Sequence, residues 1–187
     1  ELLKENDVVV DPTAAIFEEM LVHVSGNPSP ILAGVIDHLP PSVSRSDYNA
    51  DFDITDSVDT WARSAERQAE MIKLLHDTGI QLVPGTDDIV GFTLHRELEL
   101  YAQAGIPEVE VLRIATLDSA RVTGVDAQKG SIEKGKDADL LLVDGNPLED
   151  INAVRNGVLV MKGDTLFRPD ELYKAVGVIP FVDSVEL

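Results

Sequence analysis

Two short apolar runs stand out in the first half of the chain, and each is followed by a turn. Val8–Val10 is β-branched and ends at Asp11-Pro12, and Ile80–Val83 ends at a Pro-Gly pair. Both patterns predict short buried strands. Between them, apolar residues recur at helical spacing over 14–24 and again from residue 59 or 60 to 78. The order strand, helix, irregular stretch, helix, strand is typical of a parallel α/β sheet.

The stretch between these two predicted helices has the weakest periodicity. Ile31–Leu39 is apolar and predicts one short helix, which Pro40-Pro41 would end. Arg45–Asp59 predicts an acidic loop of a length that often has a functional role, such as a lid. The spacing of Asp47, Asn49 and Asp51 matches the first ligands of a calcium-binding loop. Such a loop also needs Gly and Glu at positions that Phe52 and Val58 occupy here. A solvated loop is therefore the preferred interpretation.

Further helices are predicted after the second strand. Thr93 would cap a helix that Gly105 ends, and Pro107 would open the next one. Glu97 and Glu99 are predicted to lie on the solvated face of the first of these helices. Its predicted buried face comprises Leu94, Leu98, Tyr101 and Ala102.

The pattern changes to short strands and turns after residue 126. Ala138–Val143 is an apolar strand candidate, interrupted by one Asp. Asn156-Gly157 lies between two apolar segments and predicts a β-hairpin, because both central residues of its turn type need φ > 0. Other signals are a strand edge and turn at 130–135, a turn at 162–164, a strand at 165–167 and a helix from Pro169 to about Val176. We therefore predict two regions, 1–125 and 126–187.

Composition limits the possible partners. The chain has 187 residues, of which 44% are hydrophobic and 26% charged, so it can form a real core. Its net charge of −19 argues against nucleic acid and against an anionic membrane surface, because both require clustered Lys and Arg. There is no cysteine, which excludes disulfides and thiolate chemistry. No apolar run approaches the roughly 20 residues of a membrane span.

The strongest chemical signal is a carboxylate just past the second strand, within Pro84-Gly-Thr-Asp87. Polar groups at the carboxyl ends of parallel strands are where such folds place their chemistry. Asp87 is therefore the candidate catalytic residue, although the same residue could simply bind its own turn. Gly85 and Thr86 would hold the turn that aims it. Asp88 is interpreted as part of the turn, and Asp11 as a turn-initiating residue.

The order of motifs from this turn onward resembles the amidohydrolase superfamily, most closely its imidazolonepropionase and Xaa-Pro dipeptidase-like branch. The residues that carry the resemblance are Pro84–Asp87, Leu94–Leu100, Ala104-Gly105, Ala115-Thr116, Ala120-Arg121, Gly130–Asp144 and Gly145–Asp150. The 130–144 element is the specific part, and the match is best over residues 80–165.

The resemblance implies a metal-dependent (β/α)₈ TIM-barrel hydrolase flanked by a small β-sandwich. Val8–Val10 and Ile80–Val83 would be the seventh and eighth barrel strands, and the segments after Gly130 would be the C-terminal part of the sandwich. The family binds its metals largely through a His-x-His motif and further His on earlier strands. None of the four His residues here has that spacing. Because a barrel takes roughly 250 residues, we expect this chain to be the C-terminal part of a longer enzyme.

The resemblance also implies the chemistry. Asp87 would be a metal ligand and the general base for hydrolysis of a C–N bond in an amide, a peptide or a cyclic amide. The metal would be zinc, as one or two ions in the full-length enzyme and none in this chain alone. His95, near the start of the next helix, is a candidate substrate contact. The implied partners are a small-molecule or dipeptide substrate, the N-terminal remainder of the barrel and a further copy in a homo-oligomer.

A non-enzymatic alternative stays open at this point. The chain as it stands could be an inactive fragment or a docking module, because the metal-binding half of the barrel is missing from it. Strands taken from a barrel leave open edges that must be paired or covered. Association or poor behaviour in solution is expected in that case.

Overall fold

The structure is a computed structural model that describes residues 1–88 and 91–183. Among these residues the strands are β1 (Val9–Val10), β2 (Gln81–Leu82), β3 (Leu140–Val143), β4 (Gly157–Lys162) and β5 (Thr165–Phe167). The helices are α1 (Leu2–Glu5), α2 (Ala14–Val22), α3 (Pro41–Asp47), α4 (Val58–Asp77), α5 (Thr93–Gln103), α6 (Glu108–Arg113), α7 (Ser119–Val122) and α8 (Pro169–Ala175). A π-helical segment, Ile114–Asp118, joins α6 to α7. None of the described helices is long and apolar enough to cross a membrane.

The two short strands of the first half pair in parallel, as predicted. Val9 lies opposite Gln81 and Val10 opposite Leu82. The pairing continues by one hydrogen bond, from the Val83 N–H to the Val10 carbonyl at 3.1 Å. Because the strands are parallel, their carboxyl ends lie at the same edge, and the residues that follow β1 and β2 are neighbours in space.

The segment between α2 and α4 differs from the prediction. Residues 31–39 do not form one helix: most are turns, and only Ile36–His38 is a short 3-10 helix. Pro40-Pro41 does not end a helix but begins α3, with Pro41 in the first turn. Proline suits that position because its missing N–H would have no helical partner there. The predicted loop is shortened at both ends, by α3 and by a 3-10 turn at Thr55–Ser57.

The second sheet is antiparallel, in the order β3-β4-β5. The turn predicted at 162–164 joins β4 to β5, but the hairpin predicted at Asn156-Gly157 is wrong. Residues 151–155 are a 3-10 helix that starts at Asp150, whose carboxylate accepts a hydrogen bond from the Asn152 N–H at 2.9 Å. Asn156 has φ −88° rather than a positive value. The predicted strand edge at 130–135 is also absent from the described structure, which has turns and bends there.

Two apolar clusters form the core. The larger one packs β2 against α4, α5 and α6, and its largest fully buried side chains are Ile72, Leu82, Tyr101, Ile106 and Val111. The smaller one gathers around the turns at 31–39 and contains Ala15, Ile31, Leu32, Val35, Leu39 and Phe92. Helix α5 contributes to the larger cluster and lies against α2.

The second sheet exposes a row of apolar side chains. In the antiparallel register, Leu140 faces Met161 and Leu142 faces Leu159, so these four lie on one side of the sheet. Leu140 and Leu142 are 40% and 52% exposed. Leu166 extends this apolar face onto β5, opposite Met161. Contiguous exposed apolar surface of this kind is typical of an interface.

Candidate active site

The turns that follow β1 and β2 touch each other. The Asp11 carboxylate lies against Gly85, where an added Cβ would be 2.1 Å from Asp11 Oδ1. Glycine at this position therefore permits a close approach, as predicted. Asp11 Oδ1 also accepts a hydrogen bond from the Thr13 N–H at 3.2 Å, which is the turn-initiating role expected for it.

The two consecutive carboxylates after β2 have different surroundings. Asp87 is exposed, has a left-handed backbone with φ 46°, and makes no hydrogen bond or ion pair within the part of the chain that the structure describes. Asp88 is held in the turn instead. Its carboxylate accepts a hydrogen bond from the Thr93 hydroxyl at 3.3 Å, and its carbonyl accepts one from Thr86 at 3.2 Å. Of the two carboxylates, Asp87 is thus the one left available.

Glu97 is fully buried, which corrects the prediction that it is solvated. Its Oε2 accepts a hydrogen bond from the Ala15 N–H at 2.8 Å. Tyr101, one helical turn later and also fully buried, donates its hydroxyl to the Val83 carbonyl at 3.0 Å. Burial raises the pKa of Glu97, and the hydrogen bond from the Ala15 N–H opposes that rise. Burial likewise raises the pKa of Tyr101, as does the nearby Glu97 carboxylate.

Glu99 is also buried, on another side of α5. Its carboxylate pairs with Arg155 at 2.5 Å and with Arg96 at 3.0 Å. Arg96 in turn binds Glu18 on α2 at 2.6 and 2.7 Å. These four residues join three segments of the chain through partly or fully buried charges. The exposure predicted for the two glutamates was wrong because their partners are distant in sequence, whereas Leu94, predicted to be buried, is 40% exposed.

His95 lies on a different side of α5 from Glu97 and Tyr101. It is partly buried, and its Nδ1 is buried without a hydrogen-bond partner among the described residues. Burial lowers its pKa to about 4, with a further contribution from the positive charge of Arg155. The imidazole is therefore neutral at physiological pH. It lies on the same side of α5 as Glu99, one turn away, and not on the side of Glu97.

The described residues do not form a complete metal site. No group of three His, Asp or Glu side chains within residues 1–88 and 91–183 could hold an ion. The calcium-like spacing near Asp47 has a structural use instead, since the Asp47 carboxylate accepts a hydrogen bond from the Ser29 N–H at 2.9 Å. At the strand ends, Asp87 offers one free carboxylate. Any metal bound there would need further ligands from outside this set.

Comparison with known proteins decides the family. Residues 9–165 match the model of the amidohydrolase family. The chain belongs to this family. A 5-methylthioadenosine/S-adenosylhomocysteine deaminase from Moorella thermoacetica is 30% identical to this amidohydrolase chain over an alignment of 136 residues. The match covers 62% of this chain and 31% of the deaminase.

Solved structures agree with this assignment. A Xaa-Pro dipeptidase with bound methionine in its active site is 25% identical, with a TM-score of 0.62, and the match covers 89% of this chain and 36% of that structure. A putative prolidase from Bifidobacterium longum is 26% identical, with a TM-score of 0.59, over 90% of this chain and 38% of that one. The expected prolidase-like relationship is confirmed. The chain spans about a third of the length of these relatives.

The sequence placed Tyr101 on the buried side of α5, but the prediction missed that Glu97 lies on that side too. Thr93, Glu97 and Tyr101 recur every four residues, which places them on one side of the helix. That spacing is visible in the sequence. It was not used because polar residues on an amphipathic helix are normally assigned to its solvated side.

Proposed function

We propose that this chain supplies part of the active site of a metal-dependent amidohydrolase that hydrolyses a C–N bond, with Asp87 as metal ligand and general base. The observation that carries the proposal is the contrast at the end of β2. Asp88 is hydrogen-bonded into its turn, whereas the Asp87 carboxylate is exposed and unpaired among the described residues. Its left-handed backbone supports the same view, because strained conformations collect at functional sites.

The proposed place of these strands in the enzyme follows from the family. We assign β1 and β2 to the seventh and eighth strands of a (β/α)₈ barrel and the sheet β3-β4-β5 to a flanking β-sandwich. Their parallel pairing supports the barrel assignment, as does the match of 89% of this chain to the dipeptidase structure. In such barrels, residues at the carboxyl ends of the strands line the active site. Asp87 lies in the turn that follows the carboxyl end of β2.

In the proposed reaction, Asp87 moves a proton. Its carboxylate takes a proton from the attacking water and later gives it to the departing nitrogen as the C–N bond breaks. A divalent metal, zinc in our proposal, supplies a water of lowered pKa when it is bound. The short side chain and the fixed turn give Asp87 a defined position, which a proton acceptor needs.

The substrate class is proposed from the relatives. The two solved relatives are a Xaa-Pro dipeptidase and a putative prolidase, and the curated relative is a deaminase. Their reactions share the hydrolysis of a bond between carbon and nitrogen. We therefore propose a small molecule or a dipeptide as substrate, with His95 as a candidate contact in neutral form. Replacement of His95 by Ala should then raise KM more than it lowers kcat.

The decisive experiment replaces Asp87 by Asn in the active protein. Asn tolerates the left-handed backbone at this position, so the turn should keep its shape. Hydrolysis of Xaa-Pro dipeptides and cyclic amides is measured with added zinc or manganese. We expect Asp87→Asn to lower kcat by roughly 100-fold or more and the matched control Asp88→Asn to have a much smaller effect. Unchanged hydrolysis in Asp87→Asn would show that Asp87 is not the base.

A second candidate function is an inactive docking module. It is favoured by the lack of a three-ligand group within the described residues and by the apolar face of the second sheet, where Leu142 is 52% exposed. Metal analysis and sedimentation of the purified chain separate the two candidates. A stoichiometric metal with turnover excludes the module, whereas a metal-free associating chain without turnover supports it.

A further inference from the structure

Three polar side chains on one side of α5 are completely removed from solvent. Thr93, Glu97 and Tyr101 each have an exposed fraction of 0%. Burial of polar groups costs free energy unless hydrogen bonds compensate for it. Each of the three has such a bond, to the start of α2, to Val83 or to Asp88, while Glu97 Oε1 has no partner among the described residues. This set, termed the α5 polar row, is therefore placed to fix the region where Asp87 lies.

Glu97 fixes the turn after β1. The first N–H groups of a helix have no partner within the helix and usually bind a capping side chain. At α2 the N-cap residue, Thr13, has φ 44° and makes no capping bond with its side chain. Glu97 replaces that cap from another helix, because its carboxylate accepts from the Ala15 N–H in the first turn of α2. A negative group also suits the positive end of the helix dipole.

Tyr101 and Thr93 hold the turn after β2 from its two sides. The Val83 N–H donates to the Val10 carbonyl, and the Val83 carbonyl accepts from the Tyr101 hydroxyl. On the other side of Asp87, the Thr93 hydroxyl donates to the Asp88 carboxylate. The turn is thus fastened immediately before Pro84 and immediately after Asp87.

The two turns are also in contact with each other. Asp11, which the Thr13 N–H holds in place, lies directly against Gly85. A shift of the β1–α2 turn would therefore press on the turn that contains Asp87. Glu97 holds one side of this contact through its bond to the Ala15 N–H. Tyr101 holds the other side through its bond to the Val83 carbonyl, which follows β2.

We propose that Glu97 and Tyr101 are positioning residues that, through the ends of β1 and β2, set the place of the Asp87 carboxylate for hydrolysis. The inference rests on the proposed function for its catalytic part. Neither side chain touches the reacting atoms in this proposal. Their effect is on geometry, and misplacement of a catalytic group by about 1 Å can lower a rate by roughly 100-fold.

The test compares Glu97→Ala, Glu97→Gln and Tyr101→Phe with the control Glu18→Ala in the active protein. Glu97→Gln keeps an acceptor for the Ala15 N–H, and Tyr101→Phe removes only the hydroxyl. Glu18 also connects α2 with α5, but its side-chain hydrogen bonds in the described structure go to Arg96 and not to the turns after β1 and β2. All variants are studied below their unfolding temperatures. The readouts are kcat and KM for amide hydrolysis and the backbone amide NMR signals of Gly85 and Asp87.

We expect Glu97→Ala and Tyr101→Phe to lower kcat by about 10- to 100-fold with KM little changed, and to shift the Gly85 and Asp87 signals. Glu97→Gln should regain most of kcat, and Glu18→Ala should leave both readouts near those of the parent. Unchanged kcat and signals in folded Glu97→Ala and Tyr101→Phe would refute the positioning role, even if Asp87→Asn is inactive. If the parent shows no hydrolysis, the proposed function fails, and the NMR signals alone decide whether the α5 polar row sets this turn.

Discussion

Arg155 Nε donates to Glu99 Oε1 at 2.7 Å, which ties the 3-10 helix before β4 to α5 through a buried ion pair. The two side chains are 8% and 10% exposed. Glu99 has a second partner in Arg96, and Arg96 has a second partner in Glu18. Among the residues that the structure describes, the charges therefore form a chain in which Arg155 has Glu99 as its single ion-pair partner.

This arrangement predicts unequal effects of removing the two partners. Glu99→Leu should cost about 3–5 kcal/mol, because it leaves Arg155 buried without a counter-charge. Arg155→Leu should cost less, since Glu99 keeps Arg96, and the double variant should cost less than Glu99→Leu alone. Urea unfolding of the three variants measures these free energies. Equal losses of stability in the two single variants would contradict the prediction that Arg155 relies on Glu99 more than Glu99 relies on Arg155.

The contact between Asp11 and Gly85 predicts coupled substitutions. Gly85→Ala places a methyl group where the Asp11 carboxylate lies, so the side chain must move and its bond to the Thr13 N–H is lost. We expect a loss of stability of about 1–2 kcal/mol. In the Gly85→Ala/Asp11→Ala pair the methyl group meets no carboxylate, and the two effects should be clearly less than additive. Simple additivity in a double-mutant cycle would indicate that the two turns are independent.

The left-handed backbone of Asp87 predicts that stability and activity respond in opposite directions. Glycine adopts φ 46° without the steric cost of a side chain, so Asp87→Gly should raise the free energy of unfolding by about 1 kcal/mol. The same change removes the carboxylate and should abolish hydrolysis. Thermal unfolding and an activity assay on the same sample measure both effects. Asp88→Gly is the control, and it should lower stability because Asp88 is hydrogen-bonded to Thr93.

His95 predicts a loss of stability at mildly acidic pH. Its pKa is lowered to about 4 in the folded chain, against an ordinary value of 6.5, so the unfolded chain binds the proton more readily between these values. The contribution of the neutral imidazole is complete above pH 6.5 and is lost as the pH falls toward 4. Unfolding free energies of the parent and of His95→Gln at pH 7.5 and 5 test this. The parent should lose roughly 1–2 kcal/mol more than His95→Gln.

Local signals in the sequence predicted many of the elements. The strands β1 and β2 and the helices α2, α4 and α5 were found within a few residues, because a regular apolar pattern coincides there with a Gly or Pro stop. Gly79 and Gly105, for example, have φ 75° and 93° and end α4 and α5 as expected. The antiparallel hairpin at Gly163 was found for the same reason. Such features depend on neighbours in the chain.

The errors arose where a distant partner or a competing local structure determined the outcome. Glu97 was assigned to solvent because its partner, the Ala15 N–H, belongs to another helix. Asn156-Gly157 has the residues of a tight hairpin, but the Asp150-capped 3-10 helix ends there and sets a different backbone. Asp87 could be proposed from its place after β2. That Asp88 is hydrogen-bonded into the turn and Asp87 is not was visible only in the structure.

The short parallel pairing of β1 with β2 also has a consequence for the order of folding. Val9 and Gln81 are far apart in the chain, so their pairing must overcome a large loss of loop entropy for very few hydrogen bonds. Helix α4, which is 20 residues long and directly precedes β2, can form from local contacts first. The paired strand ends that hold Asp11 and Asp87 should thus be completed late, after the helices have brought them together.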